Sequence, residues 1–211
     1  MIGDVLLIEE KHTNAAIQLA AIIKERNFEK TVIAIAGESG TGKSEIAHEL
    51  RRILKEEGNL VNILHSDNYY KILPTERTEW RKKHGIKSVG EDEYNWAILM
   101  KNIEDFRNGR KAILPYYDLY TNQKNQLITN FKNLNILIVE GLYSLRSKAD
   151  LKVFINFSYT DNIKAQVLRK KEPQTTFRTE VLQREKQVIQ SHKSLADYFI
   201  NRDYDVIEQN R

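Results

Sequence analysis

Eight consecutive residues, Gly37-Glu38-Ser39-Gly40-Thr41-Gly42-Lys43-Ser44, follow the spacing G-x-x-x-x-G-K-[ST]. Each residue type in that pattern answers a demand of gripping a polyphosphate. A loop that wraps an anion must turn its backbone N–H groups inward, which needs glycines that tolerate positive φ and leave room for the ligand. A helix opening at Lys43 adds the dipole and amides of its first turn, which extends the candidate cradle to Glu45. Lys43 offers a mobile cation to the β- and γ-phosphates of a nucleotide, and Ser44 offers a hydroxyl to Mg²⁺. A chance glycine turn between a strand and a helix is the competing explanation. The apolar run before the loop and the helical pattern after it favour phosphate binding.

Two acids follow runs of strand character. Glu140 closes ILIVE and precedes Gly141. A carboxylate at such a strand end can hold a water of the Mg²⁺ shell, and the glycine lets the chain turn away. Asp67, in Ser66-Asp67-Asn68-Tyr69-Tyr70, follows VNILH. A carboxylate there can orient an attacking hydroxyl and accept its proton, or it can simply cap a turn. Tyrosines 69, 70, 94, 116, 117, 120 and 143 lie around the presumptive strand ends. Their faces and hydroxyls suit a sugar or a base, with core packing competing at every position; Tyr69 and Tyr117 are the candidates for substrate contact. Arg169, Lys170 and Lys171 precede Pro173, and Arg178 follows it. Two helices with a basic break between them suit a lid that brings cations onto a transferring phosphate. Lys170 and Lys171 also fit a solvated face, as does the cluster Arg77, Arg81, Lys82 and Lys83. The five histidines lack metal-ligand spacing and read as ordinary.

The elements that must position these groups alternate between strand and helix. Residues 31–36, 61–65, 112–114, 136–139, 153–157 and 204–207 read as strands. Residues 13–27, 43–57, 75–84, 95–108, 161–171 and 178–192 read as helices, the first with Ala16, Ile17, Ala20 and Ile23 as its apolar face and the second stopped by Gly58. Such alternation predicts βαβ units and a parallel sheet flanked by helices, an α/β fold. Residues 1–211 read as a single domain, with a helical extension over about 1–30 and a lid over about 165–185.

Composition narrows the functional classes. The net charge of +4 among 33 basic and 29 acidic residues is too small and too dispersed to predict a nucleic-acid partner. No apolar run approaches the roughly 18 residues of a membrane span, and no basic-then-apolar signal opens the chain. Zero cysteines removes disulfides, thiolate zinc sites and thiol nucleophiles, and fits a cytoplasmic location. The guanine-reading motif [NT]-K-x-D and the ABC-type signature L-S-G-G-Q are both missing.

Taken together, GESGTGKS, SDNYY, LPYYD, ILIVEG and the lid helices resemble the uridine kinase and phosphoribulokinase family of P-loop kinases, from about residue 31 to residue 207. The resemblance implies a three-layer P-loop NTPase fold with a small helical lid. It also implies transfer of the γ-phosphate of ATP, with Mg²⁺, to a hydroxyl of a small metabolite, a nucleoside such as uridine or cytidine first. It assigns the general base to Asp67, the acid after the Walker B strand to Glu140, a ribose-holding acid to Asp92, a base-contacting tyrosine to Tyr117 and lid cations to Arg169 and Arg178. Family members often form homo-oligomers. The chain departs from the pattern on the acceptor side: Asn122 stands near the place of a pyrimidine-reading histidine, and Ala165-Gln166 replaces an arginine pair. The stretch around Asp92 lacks the family's proline, and residues 75–88 form a charged addition. A sugar phosphate or a pantothenate-like acid is the alternative acceptor, and a non-catalytic ATP-binding module is the alternative class.

Overall fold

A computed structural model describes residues 5–26, 29–158 and 175–209. The predicted helix 161–171, the Pro173 break, Arg169 and the first half of the expected lid lie outside those residues. The apolar runs form strands β1 (Thr31–Gly37), β2 (Val61–His65), β5 (Ile136–Glu140) and β6 (Leu151–Ile155). With the short β7 (Tyr198–Ile200) and β8 (Val206–Glu208) they make one sheet in the order β2-β5-β1-β6-β7-β8. All pairings are parallel except β7 with β8. All seven residues of β1 are buried, as a central strand covered on both faces must be.

Alternation along the strands sorts their side chains into two cores. Ile33, Ile35, Ile138 and Val153 face helices α1 (Glu10–Arg26) and α2 (Lys43–Glu56). Val32, Ala34, Leu137, Val139 and Phe154 join Leu99, Ile103 and Phe106 of α4 (Trp96–Arg107) and Ile189 of α5 (Thr176–Ser191). The layers are therefore helix, sheet, helix. In α1 the buried stripe is Ala15, Ala16, Leu19, Ala20 and Ile23, while Ile17 is 52% exposed. The helix begins at Glu10, three residues before the expected start, and Thr13 lies inside it, its hydroxyl donating to Glu49 of α2 at 2.9 Å. Small alanines on the shared face let the two helices approach closely.

Three sequence expectations change. Residues 112–114 belong to β3 (Lys111–Asp118), which pairs antiparallel with β4 (Gln123–Asn130) as a separate hairpin outside the main sheet. The last strand is antiparallel and spans 206–208, and β7 precedes it. Arg81, on α3 (Pro74–His84), is buried instead of solvated: it donates to both oxygens of Glu93, at 2.7 and 2.8 Å, and to Glu185 of α5 at 3.3 Å. The charged segment is thus riveted to the body by a buried ion triad, the arrangement in which a buried guanidinium is tolerated.

Candidate active site

The carboxyl ends of β1, β2 and β5 lie side by side, because Glu140 is in register with Ile35 on one flank and His65 on the other. This edge gathers the Gly37–Ser44 loop, the single turn Ser66–Tyr69 that carries Asp67, and Glu140-Gly141. Gly141 has φ +148°, and a Cβ there would overlap the Ser66 side chain, so only glycine lets the two exit turns meet.

The loop turns over Gly42 at φ +89°, and α2 begins at the next residue. A Cβ on Gly42 would stand 2.8 Å from His12 Nε2 of α1. Lys43 Nζ folds back to donate to the Glu38 carbonyl at 2.8 Å, and Thr41 Oγ1 donates to the same oxygen at 2.8 Å. The ammonium is thereby held over the loop it would serve. The Glu38 carboxylate is buried: it accepts from Ser158 at 3.0 Å and from Gln190 of α5 at 3.1 Å. Lys186 donates to the same Ser158 hydroxyl at 3.0 Å. These three partners tie the phosphate loop to α5, and no sequence spacing announced them. Glu45 is buried as well and accepts the Leu7 N–H at 3.2 Å, so its side chain serves the N-terminal segment; only its amide remains for the cradle.

Glu140 is 5% exposed, and its Oε1 lies 2.6 Å from His65 Nδ1. Burial pushes its carboxyl up, but the hydrogen bond and charge of His65 and the charge of Lys43 outweigh it and hold the group at about 2. His65 is therefore not an ordinary surface histidine, and its ring stacks on His48 of α2 at 6.1 Å. The oxygen donors Ser44 and an ionised Glu140 fit a hard divalent cation. Among the described residues no group of three or more His, Cys, Asp or Glu could hold a metal by itself. The depressed carboxyl has a consequence for stability. Glu140 contributes fully above its unfolded value near 4.5, and that contribution is lost as pH falls toward 2. Thermal melts between pH 5 and pH 2 should show the parent losing up to about 1.4 kcal/mol per pH unit more than Glu140→Gln. Parallel curves for the two proteins would remove this pairing.

Asp67 Oδ1 accepts from the Tyr94 hydroxyl at 3.3 Å. Tyr94 is held in turn by the Tyr70 bridge, with a ring separation of 4.1 Å, and Asn95 N donates to Tyr69 O at 2.8 Å. Asn68 accepts the Tyr117 N–H at 3.0 Å, which fastens the Asp67 turn to β3. Tyr117 is itself buried, and its hydroxyl donates to Asn122 at 3.1 Å. Tyr69 does not face the site: it is 1% exposed and its hydroxyl donates to Asn102 of α4 at 2.9 Å, a core position. Asp92 is exposed on the turn Glu91–Glu93, its carbonyl accepting from Lys71 at 2.7 Å. Arg178 lies in the first turn of α5, capped by Thr175, and Arg169 falls outside the described residues. No helix among the described residues is long and apolar enough to cross a membrane.

Known proteins are similar to this chain. The curated uridine kinase of Staphylococcus aureus (strain JH9) is 30% identical over 135 residues, covering 60% of this chain and 61% of that protein's length. Among solved structures, a possible uridine kinase from Bacillus stearothermophilus superposes with a TM-score of 0.56 at 19% identity, covering 74% of this chain and 90% of the other. Phosphoribulokinase from Rhodobacter spheroides gives 0.61 at 15% identity, covering 82% and 70%. At those identities the superpositions establish the α/β fold of P-loop kinases. A sequence model described as the Phosphoribulokinase / Uridine kinase family matches residues 32–203, from the second residue of β1 past the end of β7, and by that match the chain belongs to the family.

Proposed function

We propose that the chain moves the γ-phosphoryl group of ATP to a hydroxyl of a small metabolite. The observation that supports this most is the convergence at one sheet edge of the Lys43 loop, the Asp67 turn and an ionised Glu140. In the proposed reaction the inward amides of residues 39–45 and the Lys43 ammonium hold the polyphosphate. Asp67 orients the acceptor hydroxyl and takes its proton as the oxygen bonds to the γ-phosphorus and the bond to the bridging oxygen breaks, releasing ADP. Ser44 and Glu140 would hold Mg²⁺, whose charge, when bound, neutralises the phosphate oxygens. Arg178, with Arg169, is proposed to add positive charge from the α5 side.

A nucleoside is the first acceptor reading: uridine is put forward by the relatives' printed names, and cytidine joins it as the other pyrimidine nucleoside. A hydroxylated anion, such as a sugar phosphate or a pantothenate-like acid, is the second reading, and the surroundings of Arg77 favour it. The test is ADP release against a panel of both classes. Acceptor-dependent turnover supports transfer and sorts the classes. ATP binding with no acceptor-dependent turnover across the panel would instead mark a non-catalytic nucleotide-binding module.

A further inference from the structure

Arg77 lies in the first turn of α3, with its guanidinium carbon 3.4 Å from the centroid of the Tyr70 ring. Tyr70 is 4% exposed and packs on Tyr94, the residue that holds Asp67. The guanidinium is therefore two aromatic rings from the proposed base. Its Nε and Nη2 atoms are shut off from solvent, yet neither finds a hydrogen-bond acceptor among the described residues. Four residues on, the same Nε/Nη2 edge of Arg81 grips both oxygens of Glu93, and Arg81 Nη2 also reaches Glu185. Two arginines thus share one helix, one satisfied by protein carboxylates and one whose matching edge finds no acceptor among the described residues.

A charged edge taken out of water without an acceptor is strongly unfavourable, and a fold retains one where something else supplies the acceptor. Two parallel N–H groups of a guanidinium match the oxygens of a carboxylate or a phosphate. Apart from the Arg81 triad no buried side chain of α3 ties it to the body, so the Arg77 turn, one turn before that anchor, can shift enough to uncover the edge. We propose that Arg77 sets acceptor specificity: its Nε/Nη2 edge binds a carboxylate or phosphate carried by the molecule whose hydroxyl is phosphorylated. This rests on the phosphotransfer reading for the identity of the hydroxyl, but not for the anion contact itself.

The test measures binding and turnover separately. The full chain is saturated with a non-hydrolysable ATP analogue and Mg²⁺, so that the phosphate loop does not take up the probes. It is then titrated calorimetrically with ribose 5-phosphate, uridine 5′-monophosphate, ribonate and pantothenate, and with neutral ribose, uridine and cytidine. At least one anion should bind about tenfold or more tighter than its neutral counterpart, and the phosphate and carboxylate arms identify which group is read. Arg77→Met should weaken that anion by about 30-fold or more and leave ATP-analogue affinity unchanged. Its melting temperature should change little, because an apolar chain of similar reach keeps the packing on Tyr70 and removes a half-buried cation whose inner edge has no acceptor among the described residues. Arg77→Lys, which keeps the charge and loses the fork, should recover only part of the affinity. The proposal is overturned if no anion binds better than its neutral counterpart. It is equally overturned if Arg77→Met leaves anion affinity intact or weakens anionic and neutral probes alike. Arg77-dependent anion binding without acceptor-dependent ATP turnover would instead remove the kinase reading and leave the Arg77 site standing.

Discussion

Lys43→Ala is expected to lower kcat/KM for ATP by about 10³-fold or more, with saturable ATP binding weakened in calorimetry. The size follows from where the charge sits. The ammonium lies 2.8 Å from the Glu38 carbonyl, inside the loop, and it acts electrostatically on Glu140 across the site. Swinging from that carbonyl to a γ-phosphate replaces a neutral acceptor with an anionic one, a charge-assisted bond that strengthens as negative charge shifts during transfer. The fold should survive. Lys43 is half-buried, and the loop keeps the Thr41 bond to Glu38, the ties from Ser158 and Gln190, and the glycine at φ +89°. Equal melting temperatures with unequal turnover would therefore assign the loss to the phosphate. A Lys43→Ala protein with parental kcat/KM would take Lys43 out of the site.

How much of this was legible in the chain depends on the range of each interaction. Strands β1 and β5 were readable because burial on both faces demands apolar, β-branched runs, and β2 and β6 because each keeps a mostly apolar run with one polar residue inside it. The phosphate loop was readable because its chemistry is contiguous. β4 was not: its eight residues QKNQLITN are mostly exposed and have no apolar alternation, so only its pairing with β3 makes it a strand. β7 is three residues long, too short to stand out from its surroundings. The face of α1 was read with Ile17 inward, because a large apolar residue outranks alanine in any hydrophobicity count. Close packing on α2 keeps Ala16, Ala20 and Ile23 and selects Ala15 and Leu19 in place of Ile17. The site's supports were hidden by separation along the chain. His65 meets Glu140 across 75 positions, Ser158 meets Glu38 across 120 and Gln190 meets Glu38 across 152. Arg81 was hidden differently, since a basic run on a polar helix normally means solvent and its two acid partners lie on other elements.

Asp67→Asn should keep ATP binding near the parental level while lowering acceptor-dependent kcat by about 10³-fold. The substitution is nearly isosteric, and the amide oxygen can still accept from the Tyr94 hydroxyl at the 3.3 Å position, so the turn Ser66–Tyr69 keeps its shape. What disappears is the capacity to take a proton from the attacking hydroxyl. The Tyr94 contact sharpens the test. Burial and neighbouring Tyr70 and Asp67 push the Tyr94 hydroxyl well above its ordinary range, so it stays a donor at neutral pH and orients the carboxylate without competing as a base. Tyr94→Phe should therefore lower kcat far less than Asp67→Asn and leave ATP affinity alone. If Asp67 acted only as a turn cap, Asp67→Asn would turn over the acceptor at a rate comparable to the parent, and Asp67 would leave the base role. Measured side by side, ATP affinity by calorimetry and single-turnover transfer by product analysis distinguish a proton acceptor from a structural carboxylate, whichever acceptor the chain is found to use.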